Sequence, residues 1–359
     1  MIKSKLLLKP EDFKPTVKHW IVDGVLNPAA IRLPNKKIML YVRVAEMSIQ
    51  EKNSPFVCPI IISERQYKTS NEKVHIDEIK SKDGNMLYLK SGICKLNTIS
   101  HFRKVILDEE GFKVESISHV PDFAGTQLEG EYGVEDPRIV KIGSKYYMTY
   151  VGVSRKNGVS TYLAISKDLR KWERKGIIFR EQNKDGVLFP EKIDGEYVAF
   201  NRPEAFYEFH KPSIWISYSP DLKYWGRDTN VIIPRPDSWE SERIGAGSPP
   251  IKTKKGWLLI YHGVGQKDNN LVYSVGAALL NLKHPKRVIA RTSKKIPLIS
   301  PTEEYEKELY GNKLVVFPTG AVPDLENKNL LIYYGAGDRK IGVKKIPIDY
   351  ILNSLKSSR

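Results

Sequence analysis

The sequence predicts an all-β protein, and more narrowly a five-bladed β-propeller. Two repeated sequence patterns and the lack of long helical periodicity predict it. In the first repeat, an apolar run follows a short turn and ends in an aromatic residue, which is typical of the buried second strand of a hairpin. The runs lie at residues 37–41, 145–150, 196–200, 256–261 and 329–333. Five similar units in 359 residues favour a propeller over the alternative, a β-sandwich with insertions.

The second repeat places a tight turn between a strand and a tryptophan. Residues 166–172 (SKDLRKW) match residues 219–225 (SPDLKYW). In both copies we expect the Asp side chain to bond the backbone of its own turn. We expect Trp172 and Trp225 to close over these turns. Similar units at intervals of several tens of residues are typical of repeat folds.

The chain is predicted to form a single domain over residues 1–359, because all-β repeat folds often run long as one unit. The repeats are unevenly spaced, and the longest gap lies between Tyr41 and Tyr150. That gap has room for an extra hairpin, so we predict a loop or hairpin insertion around residues 65–90. Residues 348–355 and a few short loops are the candidates for helix.

The composition is strongly basic, with 58 Lys and Arg, 42 Asp and Glu, and a formal net charge of +16. Such a balance suits nucleic acid, an anionic membrane or a phosphorylated ligand as partner. The lysines are scattered over predicted loops and are not interleaved with aromatic residues, so we predict no nucleic-acid partner. Since no apolar run approaches the length of a membrane span, we also predict no membrane partner.

Cysteine usage and the N-terminus predict a cytoplasmic location. The two cysteines, Cys58 and Cys94, cannot make a disulfide framework and have no metal-ligand neighbours at the usual spacing. The apolar run at the N-terminus is too short for a signal peptide. Abundant Lys and Glu with scarce Gln are typical of a thermophilic source.

The stretch Glu135-Asp136-Pro137-Arg138 is the candidate for an acid catalyst. Pro137 cannot donate to a sheet ladder, and it biases Asp136 toward an extended conformation. An acid in such a turn can lie at a strand end and point into a cleft, with Arg138 near enough to pair. The simpler interpretation is a turn capped by acidic residues.

The residues that follow the five aromatic strand ends suggest a ligand site. In a propeller the innermost strands line a central channel, so these residues are expected to meet near one axis. They include Arg43, Arg202, His262 and Asp338. Each alone is more often an ordinary polar residue at a strand end. Together, cations around one acid, Asp136, suit an anionic ligand beside an acid catalyst.

These motifs resemble glycoside hydrolase family 130, the inverting β-mannoside phosphorylase family, over nearly the whole chain. The most specific piece is the stretch at residues 135–138. Further pieces are 188–192 (LFPEK), 201–203 (NRP), 243–247 (RIGAG), 249–251 (PPI), 261–264 (YHGV), 273–277 (YSVGA) and 317–320 (FPTG). The resemblance implies a five-bladed propeller that cleaves β-linked manno-oligosaccharides with inorganic phosphate and yields α-mannose 1-phosphate.

The resemblance also implies roles for individual residues. Asp136 would be the proton donor, acting through a sugar hydroxyl. Because phosphate is the nucleophile, such an enzyme needs one carboxylic acid and a cradle of donors for the phosphate. The implied phosphate ligands are Arg202, Arg243, His262 and Tyr273. The implied sugar-binding residues are Asn27, Arg43, Glu135, Arg138 and Asp338. No metal and no organic cofactor are implied, since inorganic phosphate is a co-substrate.

Departures from the family pattern leave alternatives open. Asn201 stands where relatives often have His, and Arg243 stands where many have Lys, which keeps the charge but alters the geometry. Some family members are hydrolases, so a β-mannoside hydrolase that uses Glu204, Glu240 or Glu242 to activate water is the first alternative. A non-catalytic carbohydrate-binding propeller is the second. The linkage, β-1,2 or β-1,4, stays open, and the resemblance implies a possible homo-oligomer.

Overall fold

The computed structural model describes residues 2–51, 54–64, 66–204, 209–309 and 311–357. Arg65, at the start of the predicted insertion, lies outside these ranges. The first half of the chain forms fourteen strands, and two 3-10 turns lie at Pro10–Asp12 and Ile76–Glu78. The strands are β1 (Lys3–Leu8), β2 (Trp20–Arg32), β3 (Ile38–Ser48), β4 (Phe56–Ile61), β5 (Thr69–Val74), β6 (Ile79–Asp83), β7 (Met86–Leu89), β8 (Cys94–Leu96), β9 (Ile99–Leu107), β10 (Val114–Ile117), β11 (Val134–Ile142), β12 (Lys145–Ser154), β13 (Gly158–Ser166) and β14 (Glu173–Phe179).

The second half continues in strands and has one short helix, α1 (Ile348–Ser354), before its last strand. A 3-10 turn lies at Glu304–Glu306. The strands are β15 (Asn183–Leu188), β16 (Tyr197–Pro203), β17 (Ile214–Ser219), β18 (Gly226–Ile232), β19 (Arg243–Ala246), β20 (Ile251–Thr253), β21 (Gly256–Lys267), β22 (Asn270–Leu280), β23 (Val288–Arg291), β24 (Lys313–Pro323), β25 (Asn329–Ala336), β26 (Lys340–Pro347) and β27 (Lys356–Ser357). The all-β class is confirmed, and α1 confirms the helix predicted at residues 348–355.

Three four-stranded antiparallel sheets have the strand orders β10-β9-β3-β2, β11-β12-β13-β14 and β15-β16-β17-β18. The nine strands described after residue 242, together with β1, form one ten-stranded sheet with the order β1-β26-β25-β24-β22-β21-β19, to which β20, β23 and β27 are attached. Within it, β22 and β24 run parallel, with Tyr273 opposite Val315. The first strand of the chain, β1, pairs antiparallel with β26 and so joins the last sheet.

The five aromatic residues that end the repeated runs all lie in the core. Each is on a strand with an antiparallel neighbour on both sides, which confirms the predicted hairpins. None is more than 1% exposed, and the residues are Tyr41, Tyr150, Phe200, Tyr261 and Tyr333. Large aromatic rings at these central strands supply much of the apolar area that holds the sheets together.

The two Asp turns form as the second repeat predicts. Asp168 Oδ1 accepts hydrogen bonds from the backbone N–H groups of Arg170 (2.8 Å) and Lys171 (2.9 Å). Asp221 Oδ1 does the same for the two residues that follow Leu222, at 2.9 and 3.0 Å. The indole Nε1 of Trp172 donates to Tyr41 Oη at 2.9 Å, so the first turn is tied to a neighbouring sheet.

Two small sheets lie between β3 and β9, in the region of the predicted insertion. They have the orders β4-β5 and β6-β7-β8. The hairpin between β6 and β7 pairs Asp83 with Met86. A separate cluster of buried side chains holds this part together, formed by Cys58, Val74, Leu87 and Leu89. In the part of the chain that the structure describes, no helix has the length and apolar character needed to span a membrane.

Candidate active site

Matching β-bulges carry three polar residues on the first strands of three sheets. The pairing register shifts at Asn27 in β2, at Asp136 in β11 and at Asp185 in β15. All three have a left-handed backbone, with φ of 41°, 51° and 54°. Asn and Asp tolerate this conformation better than most residues, and a bulge turns a side chain in a new direction. Because β11 packs against both β2 and β15, the bulges bring the three side chains to one place.

The backbone prediction for Asp136 is wrong. The residue is left-handed rather than extended, and it lies within β11 rather than at its end. The proline that follows does disfavour the helical region, but the bulge between Glu135 and Arg138 sets the local conformation. A strained backbone kept at such a point is typical of functional sites.

Two neighbours hold the Asp136 carboxylate. The Asn27 amide donates to Oδ1 at 2.9 Å, and Arg43 Nη1 donates to the same oxygen at 3.2 Å. Burial would raise the pKa of this carboxyl, but the charges of Arg43 and Arg138 and the Asn27 hydrogen bond hold the pKa below its ordinary value. Asp136 is therefore ionised at neutral pH in the ligand-free protein.

Glu135 and Asp338 lie beside the same arginine. Arg43 Nη2 pairs with Glu135 Oε1 at 2.7 Å, and Arg43 Nε donates to Ser100 Oγ at 3.1 Å. Asp338 follows β25 and is also left-handed, with φ of 55°. Desolvation raises the pKa of the Asp338 carboxyl, Arg43 opposes this, and Asp136 adds to it. The Asp338 carboxyl therefore lies within the electrostatic reach of both Arg43 and the candidate acid.

Arg138 is buried beneath the site, and its N–H groups donate to acceptors within the protein. Nη1 donates to the carbonyl oxygen of Asp136 at 2.9 Å, and Nε donates to that of Gly247 at 3.1 Å. Nη2 pairs with Asp185 Oδ1 at 2.9 Å. Arg138 therefore supports the bulge that carries Asp136.

Sequence reasoning missed Asp185, the carboxylate under the basic side of the site. Its Oδ2 lies 3.0 Å from Arg202 Nη1 and 3.8 Å from His262 Nε2. Burial would raise the pKa of Asp185, but Arg202, His262 and Arg138 lower it to about 2. A Cβ at Gly245 would come within 2.1 Å of Asp185 Oδ2, so only glycine leaves room there. The signal that could have found Asp185 is its match to Asp136 on the first strand of a sheet.

Arg202 donates a hydrogen bond to a neutral histidine. Its Nη1 lies 3.1 Å from His262 Nε2. Because a guanidinium donates only, Nε2 must accept, and the ring proton is assigned to Nδ1. His262 is fully buried, and burial together with the nearby arginines lowers its pKa to about 3, although Asp185 opposes this. His262 therefore serves as a hydrogen-bond acceptor for Arg202.

Arg243 and Tyr273 complete the basic side of the site. Both lie opposite Val264, Arg243 from β19 and Tyr273 from β22, so they share one row across three strands. Lys184 lies opposite Arg202 in the β15–β16 pairing. Among the described residues, no carboxylate forms an ion pair with Arg243 or Lys184.

A cavity of about 190 Å³ unites these groups. Eight of the ten predicted site residues line it, namely Asn27, Arg43, Glu135, Asp136, Arg202, Arg243, Tyr273 and Asp338. The other two, Arg138 and His262, lie beneath it. Sequence reasoning gave no role to five further lining residues, Lys184, Asp185, Lys313, Val315 and Phe317. A larger groove of about 1220 Å³ runs past Trp239 and Lys294 and contains none of these ten predicted site residues.

The three glutamates considered for a hydrolase have different surroundings. Glu240 is fully buried, and it accepts bonds from Arg235 (2.5 Å), Arg291 (2.6 Å) and Tyr261 (2.7 Å). It therefore braces the sheet and does not face the cavity. Glu242 borders the larger groove. Glu204 alone of the three lines the cavity. No group of three or more His, Cys, Asp or Glu side chains within the described ranges could hold a metal ion.

Known proteins resemble this chain in sequence. The family model of glycoside hydrolase family 130, described as β-1,4-mannooligosaccharide phosphorylase, matches residues 123–357. A 1,2-β-oligomannan phosphorylase of Thermoanaerobacter sp. (strain X514) is 46% identical over 213 residues, 59% of this chain and 67% of the relative. A β-1,2-mannobiose phosphorylase of Listeria innocua serovar 6a is 32% identical over 98% of this chain and 96% of its own.

A solved structure extends the likeness to three dimensions. The β-1,2-mannobiose phosphorylase from Listeria innocua in complex with β-1,2-mannobiose superposes with a TM-score of 0.88 at 31% identity. The match covers 98% of each chain. Sequence and fold thus agree over almost the whole length, and the chain belongs to glycoside hydrolase family 130.

Proposed function

We propose that the protein is an inverting β-mannoside phosphorylase that cleaves β-linked manno-oligosaccharides with inorganic phosphate to give α-mannose 1-phosphate. One observation carries the proposal. A single cavity is lined by the carboxylate of Asp136 and by two arginines and a tyrosine, Arg202, Arg243 and Tyr273. Such a site suits a reaction in which an anion is the nucleophile and one acid serves the leaving group.

In the proposed reaction, a phosphate oxygen attacks the anomeric carbon while the bond to the leaving oxygen breaks. The electron pair of that bond goes to the leaving oxygen, which takes a proton from Asp136 through a sugar hydroxyl. Attack from the opposite face inverts the configuration. Asn27, Arg43 and Asp338 hold the sugar, and Arg202, Arg243 and Tyr273 hold the phosphate. His262 keeps Arg202 in place.

Asp136 must gain a proton before it can act as an acid. In the ligand-free protein its pKa is held low by Arg43, Arg138 and Asn27 in spite of burial. A sugar that fills the cavity excludes water and takes hydrogen bonds from Arg43 and Asn27, and both changes raise the pKa of a carboxyl. Substrate binding therefore raises the pKa of Asp136 and favours its protonated form.

We propose β-1,2-mannobiose as the substrate to test first, because the relatives named above act on β-1,2-linked mannosides. Hydrolysis is the second candidate, since Glu204 lines the cavity and could activate water. Incubation with β-1,2- and β-1,4-mannobiose, with and without inorganic phosphate, separates these proposals. α-Mannose 1-phosphate that forms only with phosphate is the expected product. Free mannose at the same rate without phosphate would favour the hydrolase.

We also infer that the chain is a single domain built as a five-bladed propeller, with the two small sheets as an insertion. Contacts between successive first strands, β2 with β11, β11 with β15, β15 with β19 and β24 with β2, support a ring. The parallel junction between β22 and β24 divides the ten-stranded sheet into two units. Both cysteines are free thiols, which supports the predicted cytoplasmic location. The homo-oligomer and the thermophilic source stay predictions.

A further inference from the structure

Glu204 lies on the wall of the candidate cavity and is bonded to a residue of the proposed phosphate cradle. Its Oε1 is 2.6 Å from Arg202 Nη2. The glutamate side chain is 23% exposed and the arginine side chain is 6% exposed. The carboxylate thus stands between the buried guanidinium and the water of the cavity, where an anion from solution would approach.

The other two nitrogens of Arg202 differ in their surroundings. Nη1 lies 3.0 Å from Asp185 Oδ2 and 3.1 Å from His262 Nε2. Nε is buried and has no hydrogen-bond partner among the described residues. An anion that enters from the cavity therefore meets Arg202 at Nη2, which is the atom that Glu204 occupies.

We propose that Glu204 competes with phosphate for Arg202 and thereby sets the phosphate concentration that the enzyme requires. The proposal rests on the proposed function and adds a selectivity residue to it. A carboxylate and a phosphate both match the guanidinium fork, but two anions held at one donor repel each other. Phosphate binding therefore displaces the Glu204 side chain, and by reciprocity the side chain weakens phosphate binding.

The surroundings of Glu204 allow this displacement without movement of the main chain. Its backbone N–H donates to the carbonyl oxygen of Gln182 at 2.9 Å, which fixes the strand end. Glu204 also borders a second cavity of about 680 Å³, which Trp215 and Lys223 help to line. A rotation of the side chain would carry the carboxylate from Arg202 toward this space and its lysine.

The test is the variant Glu204→Gln, which removes the charge and keeps the size and an oxygen for Arg202. Inorganic phosphate is titrated calorimetrically into the wild-type protein and the variant without sugar. We expect the Kd for phosphate to fall by at least about fivefold in the variant, as is typical of coupled binding. The matched control is Glu196→Gln, because Glu196 pairs with Arg227 on the same sheet but outside the cavity. Its phosphate Kd should equal that of the wild type.

An unchanged or higher Kd for Glu204→Gln would overturn the proposal, because Glu204 would then orient Arg202 rather than oppose the ligand. The proposal would also be overturned if the wild type released free mannose without phosphate and Glu204→Gln did not. Glu204 would then activate water. The titration needs no turnover. Its failure is therefore distinct from failure of the proposed phosphorolysis, which the products of the wild-type enzyme test.

Discussion

Asp185 Oδ1 holds Arg138 Nη2 at 2.9 Å, and both side chains are 1% exposed. Loss of the Asp185 charge would leave Arg138 buried without its counter-ion, which is far more costly than the loss of a surface pair. We expect Asp185→Asn to lower the free energy of unfolding by about 3 kcal/mol, measured by urea denaturation. The double variant with Arg138→Met should lose less than the sum of the two single variants. Additive losses would mean that the two side chains do not act as a pair.

Replacement of the candidate acid should separate catalysis from folding. Asp136→Asn keeps the shape of the side chain and can still bond Asn27 and Arg43, but it cannot give a proton. We expect kcat for mannobiose phosphorolysis to fall by about 10²- to 10⁴-fold, which is the usual contribution of a general acid. The urea midpoint should stay near that of the wild type. Turnover near the wild-type rate would remove Asp136 from the role.

Arg243 lines the cavity and pairs with no described carboxylate, so its charge is available to a ligand. We expect Arg243→Ala to raise the KM for phosphate by about 10- to 150-fold, the loss of one charged hydrogen bond, with little change in the KM for mannobiose. Arg243→Lys keeps the charge and should recover part of the phosphate affinity. Equal effects of Arg243→Ala on both KM values would contradict a phosphate-binding role.

The buried His262 makes the stability depend on pH. Its pKa falls from the ordinary 6.5 to about 3 on folding, mainly because of burial. Between these values the unfolded chain binds a proton that the folded protein does not. The contribution of His262 to the free energy of unfolding is therefore complete above pH 6.5. It falls as the pH drops toward 3, by about 1.4 kcal/mol per pH unit for one proton.

Urea denaturation at several pH values checks this expectation. His101 is also buried with a pKa well below its ordinary value, so it adds to the slope in the wild type. In the variant His262→Gln, the change in unfolding free energy per pH unit should be smaller by roughly the contribution of one proton. The contribution of His101 should remain. An unchanged slope would mean that His262 carries a proton in the folded protein.

The aromatic-ended runs predicted the all-β class and the central strand of each unit correctly, because a buried strand needs a continuous apolar sequence. The resemblance also pointed to eight residues that line the cavity. The sequence patterns did not identify Asp185 and Lys184 as site residues, because both precede an apolar run instead of following one. The left-handed conformation of Asp136 was not predicted, because a bulge depends on pairing with a second strand. The local sequence does not determine that pairing.

The pairing of β1 with β26 bears on how the protein assembles. Ser4 lies opposite Lys344, so the sheet that contains β26 also needs β1. During synthesis, that sheet cannot be finished until the final strands have been made, and such distant pairing is slow. Asp338, which follows β25, then reaches the cavity late. Until β1 docks, β26 presents an open edge that can pair with other chains.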